Sequence, residues 1–315
     1  MKAIKVNKFG SSEVLIYSDE SRPTVADNEV LIKIEAAGIG RVDISARQGH
    51  YAPLSTPGFI PGIEVAGEVV LLGKDVDKKW LGKKVFARVF SGGYAEEISL
   101  SVASLVEIPK NLTTIEAIAF GVNALVASFS LDLSGLGNGD RLLIRGASGG
   151  IGSVAALIAK AMGIHVTAAI RSESKKEYLE QLGIKDFLLA QDIADSTLKY
   201  HAILDLVLGG GIDACVNLLE KNGNYIIAGG SGGSPEIDFG MSFLKRVHLS
   251  LSLHIFSLNA FSDTKIGERM THIFKLITDH QLRAPIHKIF SLKEAIKAHD
   301  FMESGDVFGK IILTT

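Results

Sequence analysis

The sequence has little cysteine, almost no net charge and no long uninterrupted apolar run. Its single cysteine, Cys215, excludes an internal disulfide framework and any zinc site built from several cysteines. A formal charge of −2 gives no clustered positive surface, so neither nucleic acid nor a membrane is an expected partner. No stretch approaches the about 18 apolar residues of a membrane span, and the first residues lack a signal-peptide core. We therefore expect a cytoplasmic protein that acts on small molecules.

The composition is that of a compact globular protein. Hydrophobic residues make up 47% and charged residues 22% of the chain, and 33 glycines indicate many tight turns. Since a domain usually holds about 100–200 residues, 315 residues predict two domains with a cleft between them.

The pattern of the sequence changes near residue 110. Before it, segments such as "EVLIKIEAAGI" and "EVAGEVVLLG" read as short strands between Gly, Pro, Asn and Asp clusters, which predicts a β-rich domain. The segment "TTIEAIAFGVNALVASFSL" then has helical spacing. From Arg141 onward strands alternate with helices, which predicts βαβ units and a doubly wound parallel sheet.

Two late segments complete this prediction. Alternating Val247, Leu249, Leu251 and Leu253 predict an edge strand near 247–254 that could pair across a homodimer. The helix-like "SLKEAIKAHDFMESG" and the strand-like "GKIILTT" are expected to return to the first domain.

The loop from Gly146 to Gly152 carries the strongest functional signal. In "RLLIRGASGGIGSVAALIAKAMG" an apolar strand meets a glycine cluster that opens a helix, which is the setting of a dinucleotide-binding loop. Gly149 and Gly152 match the second and third glycines of that fingerprint, and Ala147 stands where the first would be. Free N–H groups at the helix start would bind the pyrophosphate. The predicted cofactor-binding residues of this loop are Ala147, Ser148, Gly149, Gly150, Ile151 and Gly152.

Arg171 favours NADPH over NADH. NAD-binding folds usually have an acid about 20 residues after the glycine loop, where it accepts from the ribose hydroxyls. Here that position is Arg171, and Ser172 and Lys175 follow it as further donors for a 2′-phosphate. The alternative is that these are solvated charges at the start of a surface helix.

The segments "PGIEVAGEV", "GGYAEEISL", "GASGGIG" and "AHDFMESGDVFGKIIL" together resemble the medium-chain dehydrogenase/reductase superfamily, specifically its zinc-free quinone oxidoreductase branch. The resemblance runs nearly end to end. It implies a GroES-like catalytic domain over 1–118, completed by 259–315, a Rossmann NADPH-binding domain over 119–258, and a homodimer.

The resemblance also bears on metal and chemistry. Zinc-dependent relatives carry a ligand Cys and a ligand His where this chain has Gly40 and Ile63, and neither side chain here can ligate zinc. No metal site is therefore expected. Hydride from NADPH would go to an acceptor that is already electrophilic, a quinone or an α,β-unsaturated carbonyl.

The resemblance further implies roles for single residues. Tyr51 matches a tyrosine near the nicotinamide and is the candidate proton donor, with His50 as an alternative. Asn123, Gly229 and Gly230 match positions beside the nicotinamide, and Lys310 matches one near the adenine end.

Other residues and functions stay open at this point. Asp43 and Arg47 are expected to pair or cap locally, and Asp205 to be structural. The alternative functions are a 2-enoyl thioester reductase and, because the branch usually has polar residues where this chain has Gly40 and Ser45, a non-catalytic NADPH-binding protein.

Overall fold

The protein divides into two compact units in a computed structural model that describes residues 1–315. The first unit contains residues 1–122 and 261–315, and the second contains residues 123–260. The strands are β1 (Lys2–Val6), β2 (Leu15–Asp19), β3 (Glu29–Ile39), β4 (Glu64–Leu72), β5 (Lys84–Arg88), β6 (Glu97–Ser101), β7 (Leu105–Glu107), β8 (Arg141–Arg145), β9 (His165–Ile170), β10 (Asp186–Leu189), β11 (Tyr200–Asp205), β12 (Leu219–Ile227), β13 (Ser252–Ile255), β14 (Ile286–Ser291) and β15 (Lys310–Thr314). The helices are α1 (Arg41–Arg47), α2 (Thr114–Ser134), α3 (Gly150–Ala161), α4 (Lys176–Gln181), α5 (Ile212–Val216), α6 (Met241–Leu244), α7 (Asp263–His280) and α8 (Ala295–Glu303).

The first unit is built on a largely antiparallel sheet. Its strand order is β14-β15-β3-β4-β5-β7, with β6 also pairing with β3, and β1 and β2 form a separate hairpin. Strand β3 is central because its apolar side chains Val30, Ile32 and Ile34 are fully buried. The C-terminal strand β15 pairs antiparallel with β3, so the end of the chain completes this sheet.

The second unit is a parallel sheet of six strands in the order β10-β9-β8-β11-β12-β13. The order runs outward in both directions from β8 and β11, so the chain reverses direction across the sheet between these two strands. In open parallel sheets of this kind ligands bind at the carboxyl ends of the strands, at the point of reversal. The predicted fold class, a doubly wound Rossmann sheet with a GroES-like β-rich domain, is confirmed.

The sequence prediction was only partly right between residues 247 and 255. Strand β13 does lie at the sheet edge, but it covers Ser252–Ile255, and Val247–Leu249 form a single 3₁₀ turn. Val247 is 76% exposed, so its alternation with Leu249 does not mark a buried face.

Helix α2 is long and apolar enough by length and composition to cross a membrane, contrary to expectation. However, 83% of its most apolar window is buried inside the protein, as in the core helix of a soluble fold. Gly121 breaks its regular geometry with φ 36° and ψ −136°, which a residue with a side chain would rarely adopt.

Candidate functional site

Three glycine-containing loops leave the carboxyl ends of the adjacent strands β8, β11 and β12. The first begins at Gly146, whose φ of 85° makes the tight turn out of β8. The turn role of the first fingerprint glycine therefore falls on Gly146, whereas Ala147 is fully buried and offers no side chain to a ligand.

Helix α3 begins directly after this turn. Gly149 is its N-cap, and Gly150, Ile151 and Gly152 form the first turn, where N–H groups have no acceptor within the helix. Ser148, Gly149, Gly150 and Ile151 are partly exposed. The Gly149 amide donates to the Gly146 carbonyl at 3.1 Å, so the amides of Ser148, Gly150 and Ile151 are the ones open to an anion. The loop thus has the donors that a pyrophosphate requires.

The loops after β11 and β12 contact each other closely. The Gly232 amide donates to the Val207 carbonyl at 2.7 Å, and Leu208 is held at φ 58°, a strained value for leucine. A Cβ on Gly229 would come within 2.6 Å of the Leu206 carbonyl oxygen, so only glycine permits this approach. Gly230 is exposed beside them.

A buried charge cluster beneath these loops was not found from the sequence. Arg145 donates to the Asp205 carboxylate at 2.6 Å and to the Gly210 carbonyl at 3.0 Å. Asp205 also accepts from the Leu208 amide at 2.9 Å and from the Tyr225 hydroxyl at 2.7 Å. The cluster therefore fixes the loop after β11. Its sequence signal was a charged residue ending the apolar segment "RLLIR" directly before a glycine.

The cluster also shifts the ionisation of its members. Burial raises the pKa of the Tyr225 phenol well above its usual value, and the Asp205 charge raises it further. Burial alone would lower the pKa of Arg145, but the Asp205 charge together with Cys215 and Tyr225 outweighs burial and raises the pKa. Both groups keep their protons at neutral pH, and the prediction of a structural role for Asp205 agrees with these contacts.

Arg171 follows β9, the neighbour of β8 in the sheet. Because the two strands are parallel, Arg171 lies at the same edge as the Gly146 turn. Its side chain is exposed and makes no hydrogen bond or ion pair within the chain. Ser172 and Lys175 follow it, and the Ser172 hydroxyl lies 2.7 Å from that of Ser174. Arg171 is thus a free cation next to the anion-binding loop.

The structure places the two remaining cofactor candidates differently. Asn123 is a buried residue of α2, two positions after the Gly121 kink. Lys310 was expected near the adenine end, but its side chain is buried and its ammonium pairs with the Glu64 carboxylate. It is therefore not available to a ligand phosphate, which corrects the expectation.

Glu64 also joins β4 to α2 in the first unit. Its second carboxylate oxygen accepts from the Val122 amide at 2.6 Å, directly after the kink at Gly121. A Cβ on Gly121 would overlap this carboxylate. The residue before Glu64 is Ile63, one of the two positions that lack a zinc ligand, and no group of three His, Cys, Asp or Glu side chains that could hold a metal occurs in residues 1–315.

Tyr51 lies after α1 in the first unit and is partly exposed. It lies near enough to Arg88 at the end of β5 to interact electrostatically with that guanidinium, which in turn lies over the Phe90 ring at 4.2 Å. His50 is exposed. Of the two candidate proton donors, Tyr51 is thus the one with a charged neighbour.

Asp43 and Arg47 do not pair with each other, although both lie in α1. Asp43 accepts from the Gly40 amide at 2.8 Å and caps the helix, as expected. Arg47 instead reaches the Glu303 carboxylate at 2.8 Å, 256 residues away in the chain. The expectation of a local partner was therefore right for Asp43 and wrong for Arg47.

Comparisons with known proteins match this arrangement. Residues 26–110 match the family "Alcohol dehydrogenase GroES-like domain", and residues 185–313 match "Zinc-binding dehydrogenase". The chain is 30% identical to a quinone oxidoreductase from Sus scrofa, over 99% of this chain and 97% of that protein. A mycobacterial protein solved in complex with NADPH has a TM-score of 0.90 at 25% identity, and each chain is covered fully. The CurK enoyl reductase has a TM-score of 0.87 at 25% identity, over 99% of this chain and 98% of that one.

Proposed function

We propose that this chain, which belongs to the quinone oxidoreductase-like branch of the medium-chain dehydrogenase/reductase superfamily, is an NADPH-dependent reductase of quinones or α,β-unsaturated carbonyls. The observation that carries the proposal is the glycine loop with Arg171 unpaired at the same sheet edge. The first turn of α3 offers N–H donors for the pyrophosphate, and Arg171 and Ser172 offer donors for the 2′-phosphate. The residues present therefore fit NADPH.

Bound NADPH supplies a hydride, which an acceptor such as a quinone or enone takes without a Lewis acid. The chain's own part is to hold the nucleotide through the loops after β8, β11 and β12. Because Gly40 and Ile63 replace the zinc ligands of other members, the proposed reaction is zinc-independent.

Tyr51 is the proposed proton donor. Its phenol hydroxyl is a group that can give a proton to a reduced enone. A quinone needs this donor less, because its reduced anion can take a proton from water. The contribution of Tyr51 therefore depends on the acceptor.

The test is NADPH oxidation by the purified full-length protein with a naphthoquinone, an alkenal and a crotonyl thioester, each repeated with NADH. Turnover of the quinone or alkenal with NADPH preferred supports the proposal. A Tyr51→Phe variant should lose turnover of the alkenal by about 10²-fold or more and change quinone turnover much less.

A second candidate is a 2-enoyl thioester reductase, which the similarity to the CurK enoyl reductase favours. It predicts turnover of the thioester alone, lost in Tyr51→Phe. NADPH binding without turnover of any acceptor would instead indicate a non-catalytic NADPH-binding protein.

We also propose a cytoplasmic homodimer that pairs through the edge strand β13. Support comes from its free edge and from exposed apolar residues around it, with Leu244 64%, Val247 76% and Ile255 74% exposed. Sedimentation should show a dimer for the wild type and a monomer for Ile255→Lys. The matched control is Ile16→Lys, an exposed isoleucine of the first unit, which should remain dimeric.

A further inference from the structure

The loop after β11 contains the only apolar residue of the chain with a left-handed backbone. Leu208 has a φ of 58°, in a region where a Cβ atom crowds the backbone and which glycine therefore favours. The other three non-glycine residues with positive φ, Asn222, Ser250 and Gln281, are polar and exposed. A leucine in this conformation costs free energy, so the surrounding structure must impose it.

Glycine would be the ordinary residue at this position, as the following residues show. Leu208 is followed by three consecutive glycines, of which Gly209 and Gly211 have φ values of 67° and 82°. The chain thus uses glycine for left-handed backbone directly beside Leu208 but not at Leu208 itself. Strained residues of this kind occur mostly at functional sites, so the leucine side chain is the feature that needs an explanation.

Hydrogen bonds hold the backbone of Leu208 on both sides. Its amide donates to the Asp205 carboxylate at 2.9 Å, and its carbonyl accepts from the Arg145 guanidinium at 3.4 Å. The preceding Val207 carbonyl accepts from the Gly232 amide at 2.7 Å. Because Asp205 and Arg145 belong to the buried charge cluster beneath the loops, that cluster keeps Leu208 in its strained conformation.

The side chain of Leu208 lies among the loops at the carboxyl ends of the strands. It is partly exposed, and its Cδ2 atom is 3.9 Å from the position that a Cβ on Gly230 would occupy. Earlier in the same loop, side-chain atoms of Leu206 and Val207 lie 3.3 Å from the position of a Cβ on Gly146. The loop after β11 therefore contacts both the anion-binding turn and the loop after β12.

The core of the second unit also contacts Leu208. Its side chain packs partly against the buried apolar cluster that includes residues of β11 and β12. A leucine that only covers this core would contribute to stability alone, whereas one that also contacts the nucleotide would contribute to binding. Measurement of both quantities on the same variants distinguishes the two roles.

We propose that Leu208 is a nucleotide-binding residue whose strained conformation, held by Arg145 and Asp205, directs its side chain to the uncharged part of bound NADPH. This role rests on the proposed binding of NADPH. Ligands of open parallel sheets lie where the strand order reverses, here between β8 and β11, and Leu208 follows the end of β11. The α3 amides and Arg171 suit the phosphates, so an apolar side chain suits a ribose or a base. Because that contact does not involve the 2′-phosphate, it serves NADPH and NADH alike.

The test compares Leu208→Ala with Leu208→Gly in the full-length protein, by fluorescence titration with NADPH and NADH and by urea unfolding. Alanine removes the side chain but keeps the backbone strained, whereas glycine removes the side chain and the strain. We expect both variants to bind NADPH about fivefold or more weakly, with an equal loss for NADH. The glycine variant should unfold at a higher urea concentration than the alanine variant, which reverses the usual order of these two residues.

Two control variants separate the side chain from the conformation. Leu198→Ala removes an exposed leucine that precedes β11, at the other end of that strand. Gln281→Gly relieves a left-handed residue at the end of α7 and should raise the urea midpoint. Neither control should change the affinity for NADPH.

An NADPH affinity of Leu208→Ala equal to that of the wild type would overturn the role of Leu208 and leave the proposed function intact. An alanine variant at least as stable as the glycine variant would also overturn it, because residue 208 would then not be held left-handed. A wild-type protein that binds no NADPH would refute the proposed function and the role of Leu208 with it.

Discussion

A Cβ atom on Gly152 would overlap the carbonyl oxygen of Gly146, whereas a Cβ atom on Gly149 would lie 3.5 Å from the same oxygen. Position 152 must be a glycine because α3 packs closely against the turn that leaves β8. Gly149 instead leaves open space at the start of the helix, where the backbone can approach a phosphate. Two glycines of one loop therefore have separable roles.

We expect Gly152→Ala to lower the free energy of unfolding by about 1–3 kcal/mol, because the added methyl forces the helix from the turn. Gly149→Ala should leave unfolding nearly unchanged but weaken NADPH binding by about tenfold or more, since the methyl fills the phosphate position. Urea unfolding and fluorescence titration with NADPH measure the two effects. Equal loss of stability in both variants would contradict the separation.

Arg171→Ala should weaken NADPH binding by about 10- to 100-fold and leave NADH binding unchanged, because only NADPH carries the 2′-phosphate. The matched control is Lys185→Ala. Lys185 is an exposed cation directly before β10. It therefore lies at the amino-terminal ends of the parallel strands, whereas Arg171 lies at their carboxyl ends. Equal NADPH affinities of the Arg171 and Lys185 variants would show that Arg171 is only a solvated charge.

Arg145 and Arg141 stand at the two ends of β8 and provide another matched pair. Arg145→Gln leaves the fully buried Asp205 without its counter-charge, so we expect a loss of about 3–5 kcal/mol of unfolding free energy. Arg141 pairs with Glu220 at the surface, where Arg141→Gln should cost about 0–1 kcal/mol.

The milder Tyr225→Phe removes the hydrogen bond to Asp205 and a longer one from Arg145 at 3.4 Å. It should weaken NADPH binding more than it lowers stability, because it loosens the loop after β11. Calorimetric titration with NADPH, combined with thermal unfolding, measures both quantities. Unchanged NADPH affinity in Tyr225→Phe would limit the cluster to a structural role.

Asp43 should make the protein less stable as the pH rises. Its pKa is 3.8 in an unfolded chain and about 7 in the fold, so the folded state holds more protons between these values. The free energy of unfolding should therefore fall from about pH 4 to about pH 7, by up to about 1.4 kcal/mol per pH unit from this residue. Asp43→Asn should remove that slope, as urea unfolding over a pH series would show. An unchanged slope would mean that Asp43 titrates normally.

Metal chelation should not reduce turnover, because Gly40 and Ile63 leave no pair of catalytic zinc ligands. NADPH oxidation is compared before and after dialysis against 1,10-phenanthroline, together with elemental analysis for zinc. Loss of activity that added zinc restores would refute the zinc-independent proposal.

The sequence by itself determined the local features. Strand–turn–helix punctuation around Gly146–Gly152 and the alternation after Arg141 were sufficient to predict the parallel sheet and its nucleotide loop, because each signal lies within a few dozen residues. The start of the strand near 247–254 was misplaced because two of the alternating apolar residues, Val247 and Leu253, are exposed, and a pattern does not report which face is covered.

The tertiary structure alone decided the long-range polar pairs. Arg47 with Glu303, Lys310 with Glu64 and His299 with Tyr94 are separated by 256, 246 and 205 residues. No local propensity couples such positions, since their proximity depends on β15 pairing with β3 and on α8 packing beside them. The resemblance seen in the sequence predicted Lys310 as a cofactor-binding residue. Only the fold showed that the Lys310 ammonium is buried and pairs with the Glu64 carboxylate.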